Sequence, residues 1–245
     1  MNNFKIFILY LVLTAISQSK SYRWIYDLIL SKVYDIALKF GLTPEGEKIL
    51  RVSVYDQIKK LVRHNDKLLD LCCGTGTLTV LLSNLLYKDC RIIGADISKG
   101  QISMAKRKVK NNNIQFIVMD ANNLKYKDDY FDFVIISAAL HEMNKEQRIN
   151  VLKEVYRILK KSGYLLIFDH HEPKKLIQRI FYNFYLGFWE KIFSKSFEMQ
   201  RNIIKELKFV GFQLIRQTPV SEFRNCFQNI LSEKKDDERE KNYKL

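Results

Sequence analysis

The sequence predicts an α/β fold: a doubly wound, mainly parallel seven-stranded sheet with an N-terminal helical cap. Three observations carry this. From residue 67 short apolar runs alternate with polar stretches of helical period, the signature of right-handed βαβ units. Those runs are apolar nearly throughout, as expected of strands covered by helices on both faces. A glycine-rich bend joins the first run directly to the first helix. A length of 245 residues suits one such domain with appendages. With 9 Gly and 3 Pro, collagen-like and low-complexity classes are excluded.

Taken in order, residues 1–17 form an apolar segment in which Ile6–Leu13 is uninterrupted and Lys5 precedes it. The run is shorter than the ~20 residues a spanning helix needs. Three readings stay open for it: an interfacial membrane hook, a packed lid helix, or a leader cleaved after the small residues near Ala15-Ile16-Ser17. Residues 18–66 read as the helical cap. There Ile25, Ile29, Val33, Ile36 and Ala37 recur at helical spacing, Gly41 interrupts, and Pro44 opens a second helix over 45–63.

The body, residues 67–231, is expected to place strands at Lys67–Cys72, Arg91–Asp96, Ile114–Met119, Phe133–Ser137 and Tyr164–Asp169. Helices are expected between them at Thr77–Tyr87, Lys99–Asn111 and Lys145–Leu159. An aromatic-rich helical insertion, 174–209, follows, with Phe181, Tyr182, Phe184, Tyr185, Phe188 and Trp189 in it and a separate helix at Met199–Phe209. Gly211 then introduces a sixth strand, Phe212–Gln217, and Phe223–Leu231 reads as a last, antiparallel strand. The charged tail, 232–245, is expected to be solvated.

The net charge of +14 raises the question of anionic partners. The excess is spread evenly along the chain, whereas nucleic-acid binders concentrate it on one face or tail. Cys72, Cys73, Cys90 and Cys226 show no metal-ligand spacing and read as reduced packing residues. His64, His141, His170 and His171 are the only imidazoles, so no metal is predicted.

The chemistry concentrates at Leu68-Leu69-Asp70-Leu71-Cys72-Cys73-Gly74-Thr75-Gly76-Thr77. Gly74 and Gly76 lack a Cβ, so a ligand fits against the backbone while the next helix presents its N–H groups. Asp96 ends the second strand about 20 residues later, where an acid accepts hydrogen bonds from a ribose. The dinucleotide fingerprint GxGxxG fails, because Thr79 stands at its third glycine; this argues against a nicotinamide-dependent oxidoreductase.

These residues resemble the class I S-adenosylmethionine-dependent methyltransferases of the small-molecule type, over residues 67–169 and more weakly to about 217. Asp70 to Gly76 is similar to that family's first motif, with Cys72 standing where its first glycine is usual. Ile93-Gly94-Ala95-Asp96-Ile97-Ser98 is similar to the second, and Val118-Met119-Asp120-Ala121 to the adenine-binding motif. The resemblance implies S-adenosylmethionine as cofactor, held by Asp70, Cys72, Gly74, Gly76, Asp96, Ile97, Asp120 and Ala121. It further implies displacement of the sulfonium methyl by an acceptor nucleophile. Just past strand four, His141 and Glu142 are the candidates for catalytic groups, with His170 and His171 on the same edge as candidate walls of the acceptor pocket.

No Pro-Pro-aromatic tetrapeptide and no paired catalytic cysteines follow strand four, so nucleic acid is not the expected acceptor. A small, hydrophobic acceptor is expected, of quinone-precursor or lipid-like kind, since the family branch includes menaquinone and ubiquinone methyltransferases. The expected location is cytoplasmic, with membrane contact on the cytoplasmic face through residues 4–16 and 176–197. The non-enzyme alternative is a donor-binding or membrane-tethered scaffold without turnover.

Overall fold

The computed structural model describes residues 44–172, 174–176, 196–221 and 226–235. The expectations for residues 1–17, for the first cap helix and for the aromatic stretch 177–195 lie outside these residues.

Helix α1 (Pro44–Ile58) opens the described chain. Strand β1 (Lys67–Leu71), helix α2 (Thr77–Leu85), β2 (Arg91–Asp96), α3 (Lys99–Arg107) and β3 (Ile114–Val118) follow. Then come β4 (Phe131–Ser137), a 3-10 turn (Leu140–Glu142), α4 (Lys145–Ile158), β5 (Leu159–His170), α5 (Ser196–Val210), β6 (Phe212–Pro219) and β7 (Phe227–Lys234). They build one seven-stranded sheet in the order β3-β2-β1-β4-β5-β7-β6. β1 to β5 run parallel, and β7 inserts antiparallel between β5 and β6.

Strand alternation sorts the core onto two faces. Leu69, Leu71, Val134, Ile136, Leu165 and Ile167 point to one face, against Val151, Leu152 and Val155 of α4 and Met199, Ile203 and Leu207 of α5. Leu68, Ile92, Phe133, Ile135, Leu166 and Phe168 point to the other, against Leu50, Val54 and Ile58 of α1 and Leu78 and Leu82 of α2. Helix starts follow local chemistry. Asn144 and Gln147 close a full capping box on α4, while α2 begins at left-handed Gly76 without a side-chain cap.

Several boundaries differ from the sequence reading, and for three of them the contacts give the reason. β4 starts at Phe131, because that fully buried ring is clamped edge-on by Tyr126 and Tyr130. β5 starts at Leu159, which pairs with Phe131 across a bulge that left-handed Ser162 accommodates. β7 runs on into the charged tail to Lys234, whose ammonium bonds the Leu159 carbonyl at 2.7 Å and Asp129 at 2.8 Å.

Arg148 is wholly buried between α4 and α5. Its guanidinium grips Glu206 through two bonds of 2.8 and 2.7 Å and donates to the Met143 carbonyl at 2.8 Å. The residues right after the 3-10 turn are thus tied to α5. Strand order reverses between β1 and β4, so a crevice opens above the carboxyl ends of these two strands.

Candidate active site

The loop leaving β1 forms one wall of the crevice. Cys72, Gly74 and Gly76 have φ of 61°, 55° and 72°, a tight reversal that throws the chain into α2. The two glycines serve different ends. A Cβ on Gly76 would overlap the Phe116 ring and crowd Ala105, so its smallness lets the loop pack on α3 and β3. Among the described residues a Cβ on Gly74 would meet only Gln101 Oε1, at 3.8 Å, which leaves room there for a ligand. Half-buried Cys72 takes the left-handed conformation in place of a glycine, at about 1 kcal/mol of strain. Burial, then the charge of Asp96, pushes its thiol upward, and burial with Asp70 does the same for Cys73; both stay protonated.

Asp96, at the end of β2, is held by backbone. Its Oδ2 accepts from Gly74 N and its Oδ1 from Ser98 N, each at 2.9 Å. Two backbone donors fix the orientation of this carboxylate, and as an acceptor-only group it suits ligand hydroxyls. Asp70 is buried beneath the loop. Thr79 donates to its Oδ2 at 2.6 Å, while Oδ1 is buried without a protein partner. Burial pushes Asp70 up to about 6, against the Thr79 bond. Thr79, read from sequence only as a missing glycine, thus anchors the motif's acid.

On the far side of the same rim, Asp120 is exposed and takes two bonds from Asn122 on Oδ1, while Ala121 turns its side chain into the core. Ile97, just past β2, and Val118, the last residue of β3, are exposed apolar side chains, 41% and 47% accessible. Val118 was read as part of the adenine-binding motif, but without a role of its own. Its signal was an apolar residue on an edge strand in register with Asp96.

The opposite wall comes from β4 and β5. The chain leaves β4 through left-handed Ala138 and closes the 3-10 turn that carries His141. Asp169, at the end of β5 and 1% exposed, organises that turn. Its Oδ2 accepts from the Leu140 and His141 amides at 3.1 and 3.3 Å. Its Oδ1 takes His141 Nδ1 at 2.7 Å and His170 N at 2.8 Å. His141 Nε2 lies 3.2 Å from Oε1 of exposed Glu142. Burial pulls the His141 imidazole down, but the charge and hydrogen bond of Asp169, with Glu142 adding, push it up to about 10. Asp169 itself is held below the usual carboxylate range: burial raises it, and the His141 charge outweighs that.

His170 meets His141 edge to face at 4.6 Å and stacks on Phe227 at 5.0 Å. Burial, then the His141 charge, drives it down to about 4, so it is neutral. His171 is tied by its amide to the Cys226 carbonyl, and burial lowers it too. Asp169 was absent from the sequence-derived candidates, although a lone acid ending an apolar strand beside two histidines was a legible cue.

Ligand-type atoms of His141, Asp169 and His170 lie within 4.8 Å of one another. All four acceptor sites of Asp169 are taken by protein N–H groups. The cluster is therefore built to orient an imidazole and is poorly arranged to hold a cation. Among the described residues no helix is long and apolar enough to cross a membrane.

Comparison with known proteins agrees with this geometry. The family described as "Methyltransferase domain" matches residues 68–163. A demethylmenaquinone methyltransferase of Staphylococcus epidermidis is 31% identical over 169 residues, covering 69% of this chain and 68% of that protein. One from Staphylococcus saprophyticus is 34% identical over 140 residues, and the chain spans only 59% of its length. In fold, a SAM-dependent methyltransferase of Methanosarcina mazei superposes with a TM-score of 0.60 at 21% identity, covering 74% of this chain and 98% of that one. The methyltransferase solved with the Trm112 activator of Haloferax volcanii gives 0.67 at 16% identity, covering 86% and 98%. The chain belongs to the class I S-adenosylmethionine-dependent methyltransferases. The oxidoreductase alternative falls away with that membership.

The residues present fit the donor. Open space over Gly74, a fixed carboxylate at Asp96 and an unsatisfied buried oxygen on Asp70 are what a sugar and an ammonium require.

Proposed function

We propose that the chain methylates a small aromatic acceptor bearing an ionisable ring hydroxyl, of the reduced-quinone type, with His141 accepting the hydroxyl proton. When bound, the donor supplies a methyl group on a cationic sulfur, an electrophile needing no further activation. Asp96 and Asp70 would hold it, with Gly74 giving backbone access and Ile97, Asp120 and Ala121 bordering the base. Electron density on the acceptor is then the protein's task.

The observation that supports this reading is the His141–Asp169 bond of 2.7 Å beside the crevice. Asp169 fixes the ring so that Nε2 is the proton-exchanging nitrogen. Pushed up to about 10, the imidazole is charged at neutral pH and takes the hydroxyl proton only from its deprotonated fraction, so turnover should rise as pH climbs toward 10. The neutral rings of His170 and Phe227 offer a flat wall to a planar acceptor. The curated relatives carry demethylmenaquinone in their names, and a reduced naphthoquinone has this ring and this hydroxyl. Contact with a membrane through residues 4–16 and 176–197 would give such a greasy acceptor a route in.

The test is methyl transfer from S-adenosylmethionine to a short-chain demethylmenaquinol. The intact chain should turn it over, and His141→Gln should lower kcat by about 10²–10⁴ with donor affinity kept. Donor binding without turnover on any quinol or phenol would favour the scaffold reading instead.

A further inference from the structure

Helix α3 begins Ser98-Lys99-Gly100-Gln101, the pattern of a capping box, in which the glutamine side chain folds back onto the N-cap amide. Only half of that box closes. The Ser98 side chain accepts from Gln101 N at 3.1 Å, but the Ser98 amide is bonded to Asp96 Oδ1 at 2.9 Å. On α4, by contrast, Asn144 and Gln147 close the same pattern in both directions. Asp96 has displaced the glutamine from its structural role.

The displaced carboxamide stays inside. Gln101 is 1% exposed, and neither Oε1 nor Nε2 has a hydrogen-bond partner. Leaving such a group unpaired is destabilising, and Ile102 and Ala105 of the same helix sit in an apolar cluster with Phe116. The amide lies beside the ligand space: its Oε1 is the nearest atom to where a Gly74 Cβ would stand. Gly74, in turn, donates to Asp96. An amide and a carboxylate thus flank one glycine at the nucleoside end of the crevice.

We propose that Gln101 is a further donor-binding residue, whose carboxamide pairs with a sugar hydroxyl of the bound nucleoside. A hydroxyl both donates and accepts, and a carboxamide answers both needs where Asp96 only accepts. The inference rests on S-adenosylmethionine as the donor and is independent of the acceptor. It accounts for a polar side chain kept where an apolar one would pack at lower cost.

Titration calorimetry of the full chain with S-adenosylhomocysteine tests it, using Gln101→Met, with Gln101→Leu as a second variant. Affinity should fall about tenfold, one lost hydrogen bond, while the ligand-free thermal midpoint stays level or rises. With the 2′,3′-dideoxy analogue the variants should lose nothing relative to the parent. Unchanged affinity would overturn the proposal, as would affinity and ligand-free stability falling together, which marks a packing residue. An equal loss on the dideoxy analogue would overturn the sugar assignment. These readouts involve no methyl transfer, so they stand or fall separately from the role of His141.

Discussion

Asp70 shows how a single residue trades stability against binding. A carboxyl pushed up to about 6 by burial is charged at neutral pH at a cost, since its Oδ1 has no protein donor. Asp70→Asn should therefore stabilise the ligand-free protein at pH 7.5, by about 1–3 kcal/mol. The same change should weaken donor binding at least tenfold. Denaturant melts and calorimetry on one preparation check both signs; a destabilised variant would contradict the assignment. Residue identity made much of this legible beforehand. The placement of Asp70, Gly74 and Asp96 around the crevice was readable, because a strand, a tight bend and a helix in succession put them there. The Thr79 bond and the unpaired Gln101 amide were not, since they depend on which partners their neighbours have already taken.

At the scale of elements, alternation of apolar and polar runs located every described strand of the parallel half, because a strand covered on both faces has little freedom in composition. The ends of β4, β5 and β7 were misplaced where tertiary contacts extend pairing through Phe131, Leu159 and Lys234. The salt-bridged junction of α4 and α5 was invisible in sequence, since Arg148 and Glu206 are 58 positions apart. Arg148→Met should destabilise the fold by about 3–5 kcal/mol, leaving Glu206 buried and unpaired. Arg148→Met combined with Glu206→Leu should recover most of that loss in chemical denaturation. If the double variant were no better than the single, the bridge would matter through the Met143 carbonyl, and through it the 3-10 turn.

For the whole molecule, the His141 assignment fixes how stability varies with pH. Its folded value of about 10 lies above the unfolded value of about 6.5, so the stabilisation is complete below about 6.5 and is lost as pH rises toward 10. Asp169 and His170, both lowered in the folded state, contribute in the opposite direction, losing stability as pH falls. The ligand-free thermal midpoint should thus decline between pH 6.5 and 9, and His141→Gln should flatten that decline. A parent profile already flat over this window would contradict the coupling of His141 to Asp169.

The division of the sheet at β1 and β4 has an evolutionary consequence. Every group assigned to the donor, from Asp70 through Gln101 to Asp120, hangs from the β1–β3 bank, and His141, Asp169 and His170 hang from the β4–β5 bank. Backbone pairing of two central strands is the seam between them. Mutational drift on the second bank can retool which molecule is alkylated while the first keeps its grip on the nucleoside. A lineage so constructed changes its chemistry's target far more readily than its reagent.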